Sequence, residues 1–141
     1  ILLTWEKARS KDPRMAYGNV QESVTNLMRS FRDLHMHVLF LCKEDVVNDD
    51  GVLRHAPKMV GTKLGESITY FFDEVLALRI VEEQDDEGKN VQHRWLQTVY
   101  GQGYKAKDRS GKLDNFEKPD ISALIQKLGF SLTNDKGESN E

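Results

Sequence analysis

The chain has 141 residues, with 20 Lys and Arg against 23 Asp and Glu and a net charge of −3. That length suits one domain with a real core, and that charge excludes a surface coated in nucleic acid, so phosphate binding must come from local patches. A single cysteine, Cys42, excludes an intrachain disulfide framework and a cysteine metal site, and fits a reducing, intracellular setting.

Residues 1–8 read as the end of a helix. The chain opens on the apolar Ile1, Leu2 and Leu3 rather than on Met, and is expected to be a fragment or a processed chain, without a signal peptide. Residues 9–14 (RSKDPR) form a polar break around Pro13. Val20, Val24, Leu27, Met28, Phe31 and Leu34 then recur at helical spacing, which predicts an amphipathic helix over 17–34, closed by His35. Residues 38–42 (VLFLC) are continuously apolar and of strand length, as in a strand buried on both faces. The run is too short to cross a bilayer. A helix followed by such a strand points to a helix-covered, mostly parallel sheet.

Lys43, Glu44 and Asp45 end that run. Residues 46–54 read as an exposed hairpin turning at Asn48-Asp49-Asp50-Gly51. Residues 56–65 carry Pro57, Gly61, Gly65, Lys58 and Lys63 and read as a flexible basic loop. It leads into a short helix with Leu64, Ile68, Phe71 and Phe72 inward. Residues 74–81 are a predicted strand, 82–90 a charged turn with Gly88, and 91–99 the partner strand. The alternation over 104–108 adds another strand, giving a mixed sheet. Asp120 is the expected N-cap of a last helix whose inward face is Ile121, Leu124, Ile125 and Leu128, with Gly129 as its stop. The expected organisation is a core over 1–129 and a disordered polar tail over 130–141.

The segment YKAKDRSGK gathers Lys105, Lys107, Arg109 and Lys112 around one carboxylate, Asp108. Held at a strand tip and closed by the turn at Arg109-Ser110-Gly111, such cations can reach a phosphate on another molecule. A solvated hairpin tip accounts for the same residues. GxxxxGK followed by Ser or Thr occurs nowhere, so the chain cannot hold a nucleotide by the commonest route. His35 and His37 flank a strand start without a third ligand nearby, which is too few for a metal site, and His55 and His93 read as ordinary polar positions. Glu44 and Asp45 could act on a metal or water, and as two acids at a loop entry they also read as solvated. Trp5 and Trp95 read as packing residues. Lys43 ends a buried strand, where open α/β sheets bind ligands, although such a lysine can simply mark the exit into solvent. Arg54, Lys58 and Lys63 are cations in the glycine-bordered segment that would suit a nucleic-acid backbone, and are equally ordinary on a solvated loop.

Four stretches, taken in order, resemble the C-terminal part of a RecA-type ATPase core. They are MAYGNVQESVTNLMRSFRDL, HVLFLCKE, GTKLGESITYFFDEVLALRI and RWLQTVYGQGYKAKDRSGKLD, within a resemblance covering residues 1–128. More specifically, they look like phage-encoded RecA-like ATP-binding proteins of single-strand annealing and recombination. The resemblance implies an α/β RecA-like P-loop NTPase core with a mixed, mostly parallel sheet flanked by helices and its N-terminal part missing. It implies that Lys43 senses the γ-phosphate, at a place where classical recombinases usually carry glutamine. It also implies that residues 46–61 match the mobile segment that contacts single-stranded DNA, with Arg54 and Lys58 inside that segment and Lys63 just past it as the nucleic-acid-binding candidates. Lys107 and Arg109 match a pair that reaches the neighbouring subunit's ATP and stabilises charge on the transferred phosphoryl group.

ATP and Mg2+ are implied as cofactors, bound mainly by motifs outside this chain. Neighbouring copies in a filament or ring, single-stranded DNA and a single-strand DNA-binding protein are the implied partners, in the cytoplasm of a bacterial host cell. The rival readings are a non-catalytic nucleic-acid-binding module of the same fold, and a phage interaction or assembly protein without a nucleotide role.

Overall fold

The computed structural model describes residues 2–9 and 12–131. These residues fall into two units, one of Ile1–Asp73 with Gly101–Lys105 and the other of Glu74–Tyr100 with Ala106–Glu141. The chain therefore passes between units three times, at 73/74, 100/101 and 105/106.

The first unit begins with α1 (Leu2–Arg9) and α2 (Pro13–Arg32). Asp12 caps α2 by accepting the Arg14 N–H at 2.8 Å, and Pro13 takes the first helical position, where no N–H is needed. The helix starts four residues before the expected 17–34 and leaves 33–34 beyond its end, and of the predicted apolar face Val20 and Met28 are buried whereas Leu27 is 51% exposed. Met28 on that face joins Leu64 and Ile68 in a core cluster, with Val24, Phe40, Met59, Phe71 and Phe72 packed against it. Leu64 lies on α3 (Thr62–Ser67) and Ile68 opens a 3-10 turn, Ile68–Phe71. Phe40 meets Phe31 and Phe72 edge-on, with ring centroids 5.3 and 5.4 Å apart.

Residues 38–42, expected as a buried strand, have no strand pairing among the described residues. Phe40 reaches the core, whereas Leu39 and Leu41 are 59% and 89% exposed. The physical reason is the lack of neighbours: a central parallel strand needs a partner on each edge, and the described residues supply neither. The segment leads into β1 (Glu44–Asp49), which pairs antiparallel with β2 (Val52–Pro57). Asp50 and Gly51 turn that hairpin with φ of 52° and 85°. A two-residue Asp-Gly loop adopts this conformation because glycine meets no Cβ clash at positive φ. Residues 101–105 complete this unit: the Lys105 N–H donates to the His55 carbonyl at 2.9 Å, and the His55 N–H to the Gly103 carbonyl at 2.7 Å.

The second unit holds β3 (Glu74–Val75), β4 (Ala77–Gln84), β5 (Asn90–Gln97), β6 (Lys107–Asp108), β7 (Phe116–Glu117) and α4 (Ile121–Leu128). β4, β5 and β7 form one antiparallel sheet, and β3 pairs with β6 in another. The strand expected over 104–108 is thus only Lys107–Asp108, because Tyr104 and Lys105 pair with the hairpin of the first unit instead. The buried Gln97 and Thr98 are satisfied: Gln97 accepts from Arg79 Nη1 at 2.9 Å, and Thr98 Oγ1 donates to the Asp114 carbonyl at 2.6 Å. Asp120 caps α4 by accepting the Ala123 N–H, and Gly129 ends it in the left-handed region. The polar tail expected from residue 130 lies, beyond Ser131, outside the described residues. All named sheets are antiparallel among the described residues, where one parallel bridge joins His55 and Tyr104.

Candidate functional site: an anchored cationic turn

The turn following β6 is built by two carboxylates. The Ser110 N–H and Oγ–H both donate to Asp108 Oδ1, at 2.8 and 2.6 Å, and the Leu113 N–H donates to Oδ2 at 2.9 Å. Ser110 Oγ in turn accepts the Lys112 N–H at 3.1 Å. Glu74 stands opposite Asp108 in the β3–β6 register and accepts the Arg109 N–H at 3.0 Å. The backbone of 109–113 is therefore fixed by side chains, not by a strand ladder.

The same contacts separate the two acids electrostatically. Burial raises the Glu74 carboxyl, and a hydrogen bond shared with Asp108 raises it further, to about 6, against the opposing pull of the Arg109 N–H. Burial also pushes Asp108 upward, but the bonds from Ser110, Leu113 and Glu74 outweigh it and hold Asp108 at about 2. The two shifts run in opposite directions, so Glu74 is the acid of the pair that takes a proton more readily and Asp108 the one that stays a carboxylate.

The four cations of the segment meet different fates. Lys105 belongs to the first unit, where its Nζ sits 2.9 Å from Asp49 Oδ1 with only 15% of the side chain exposed. Lys112 Nζ donates to the Leu128 carbonyl at the end of α4, a favourable place for a positive charge. These two, which a solvated hairpin tip would leave in water, make structural contacts. Lys107 lies within β6 opposite Val75, and among the described residues it has no ion-pair partner. Arg109, one residue past β6, is exposed.

The other candidates lie in the first unit. Lys43 is exposed just before β1, and its carbonyl accepts the Lys58 N–H at 2.7 Å. Arg54 Nε lies 3.3 Å from Asp49 Oδ2 with 17% of the side chain exposed. Lys58 Nζ meets Asp45 Oδ2 at 2.8 Å on the exposed side of the hairpin. Lys63 lies on α3, and its side chain is outside the described residues. His55 is more than a polar surface position: it stacks on Tyr104 at 4.7 Å and approaches Glu44 at 3.2 Å. Trp5 is 51% exposed with the Arg9 guanidinium 4.3 Å above its ring.

Sequence reasoning missed Glu74 altogether, since it reads only as the first residue of a strand. Asp108 was visible as the one acid among the cations, yet its partner lies 34 positions away and only the strand register joins them.

Among the described residues no three His, Cys, Asp or Glu side chains converge as metal ligands. No helix among them is long and apolar enough to cross a membrane. A family model described as an AAA domain matches residues 5–110. No curated protein and no solved structure matches the chain.

Proposed function

The chain belongs to the AAA domain family of ATPase-type, nucleotide-binding modules, and from that premise we propose that it forms the phosphate-sensing and trans-acting part of a RecA-like core working on single-stranded DNA. The setting is phage recombination or annealing in a bacterial host, and the protein acts as adjacent copies. ATP is the substrate, held by a neighbouring subunit. Lys107 and Arg109 stabilise the charge that develops on its transferred phosphoryl group. Lys43 senses the γ-phosphate, and Arg54, Lys58 and Lys63 follow the DNA backbone.

The observation that carries this reading is the anchored turn. A cation acting on another molecule's phosphate needs a backbone that does not reorganise when charge develops. Glu74 and Asp108 supply such a backbone from Arg109 onward, directly after Lys107. Lys105 and Lys112 are held by internal contacts, and Lys107 and Arg109 are the pair that the resemblance singles out.

Lys107→Ala and Arg109→Ala in the intact protein are expected to lower DNA-stimulated ATP turnover by about 10³-fold or more while leaving ATP binding unchanged. Wild-type turnover in both variants would remove the trans-acting assignment.

A further inference from the structure

We propose that Glu74 and Asp108 are positioning residues for the Lys107 and Arg109 pair, fixing the turn that follows Lys107 and begins at Arg109 by accepting its backbone N–H groups. The inference rests on the trans-acting reading of those two cations. It adds a device that controls how well they are aimed.

The two acids direct their hydrogen-bonding capacity into the backbone of the turn. Asp108 accepts from Ser110 twice and from Leu113 once, and Glu74 accepts from Arg109. These donors span the turn from its first residue to its last. Without the carboxylates, the Arg109, Ser110 and Leu113 N–H groups would have to find water, leaving the two contacts of Lys112 to hold the stretch at its far end. β6 has only two paired residues, so the strand ladder cannot substitute.

The pair is also chemically asymmetric. Asp108 is the acceptor, fixed as a carboxylate by its donors. Protonated Glu74 is the donor to it, and it accepts the Arg109 N–H as well. When Glu74 loses its proton, two carboxylates face each other across the register and the bond between them becomes a repulsion. The charged groups facing Glu74 are Asp108 on β6 and Arg109 just past it. Lys107 stands at the next register position, opposite Val75, and Asp73 is the chain neighbour. Asp108 lies nearest and has the wrong sign, so deprotonation loosens the turn. Glutamine mimics the protonated acid: its amide N–H donates to Asp108, and its carbonyl accepts from Arg109.

The test uses the intact protein as wild type, Glu74→Gln and Glu74→Ala, read in two ways. The first is the pH dependence of the Arg109, Ser110 and Leu113 amide resonances. In wild type these amides should follow one titration near pH 6; in Glu74→Gln they should not titrate there, and in Glu74→Ala their protection from exchange should fall. Unchanged protection in Glu74→Ala, or a titration that survives in Glu74→Gln, overturns the proposal. The second is DNA-stimulated turnover across pH 5.5–8.5. Glu74→Ala should lower kcat by roughly ten- to a hundred-fold without changing ATP affinity, and Glu74→Gln should restore it and remove the inflection near pH 6. Wild-type kcat in Glu74→Ala, while Lys107→Ala is inactive, also overturns it. If Lys107→Ala and Arg109→Ala are themselves fully active, the trans-acting reading fails, and the amide measurement alone still decides whether the two acids set the turn.

Discussion

The β1–β2 hairpin and the turn after β6 are built from the same residue types and use them in opposite ways. In the hairpin, carboxylates hold side-chain cations: Asp49 lies between Arg54 and Lys105, and Asp45 holds Lys58. In the turn, carboxylates hold backbone N–H groups, with Asp108 on Ser110 and Leu113 and Glu74 on Arg109. Removing an acid from the hairpin would release a charge. Removing one from the turn would release a loop. A run of Lys and Arg in a sequence therefore says little about which cations can meet an outside phosphate until the hydrogen bonds of the nearby acids are known.

This contrast breaks most visibly at Asp49. Asp49→Ala leaves Arg54 and Lys105, each less than one-fifth exposed, without their common carboxylate. The expected loss is about 2–3 kcal/mol in denaturant unfolding, below the range for fully buried pairs. Equal stability in the mutant would show that the hairpin cations are solvated after all. Asp108→Ala is expected to cost less, about 1–2 kcal/mol, and to act locally by speeding amide exchange at Ser110 and Leu113. A global loss with unchanged local exchange would erase the distinction between the two regions.

The smallest effect is a pH dependence, and its sign is fixed by the two shifts. Glu74 is raised from 4.5 to about 6, so the folded chain binds this proton more tightly than the unfolded chain does. Its contribution is full below pH 4.5 and falls as pH rises to about 6. Asp108 is lowered from 3.8 to about 2, so its contribution is present above pH 3.8 and is lost as pH falls toward 2. The pair is therefore strongest near pH 4. The difference in melting temperature between Glu74→Gln and wild type should widen in favour of Gln between pH 4.5 and 6 and then level off. A constant difference across that interval would show that Glu74 does not titrate there.

Local signals in the sequence carry much of the architecture. The 3.6-residue period marks α2, Asp50-Gly51 marks the hairpin turn, and Asp120 with Gly129 brackets α4. Leu64, Ile68, Phe71 and Phe72 gather at the core as their spacing predicts. What stays hidden depends on partners distant in the chain. Nothing near residue 74 announces that Glu74 will face Asp108, and nothing in YKAKDRSGK says that Lys105 will turn to Asp49 and Lys112 to the end of α4. The apolar run at 38–42 has strand composition, but composition does not supply the neighbours that turn a segment into a strand.

That run has a practical side. Leu39 and Leu41 are exposed along a stretch without strand pairing among the described residues, which makes it a template for intermolecular β pairing. Self-association through this stretch would add a concentration term to solution behaviour, read as a sedimentation coefficient that rises with protein concentration. Lys43, Glu44 and Asp45 follow directly and act as charged gatekeepers against stacking. A Leu41→Lys substitution would extend that block by two positions into the apolar run, giving a preparation whose sedimentation stays constant on dilution.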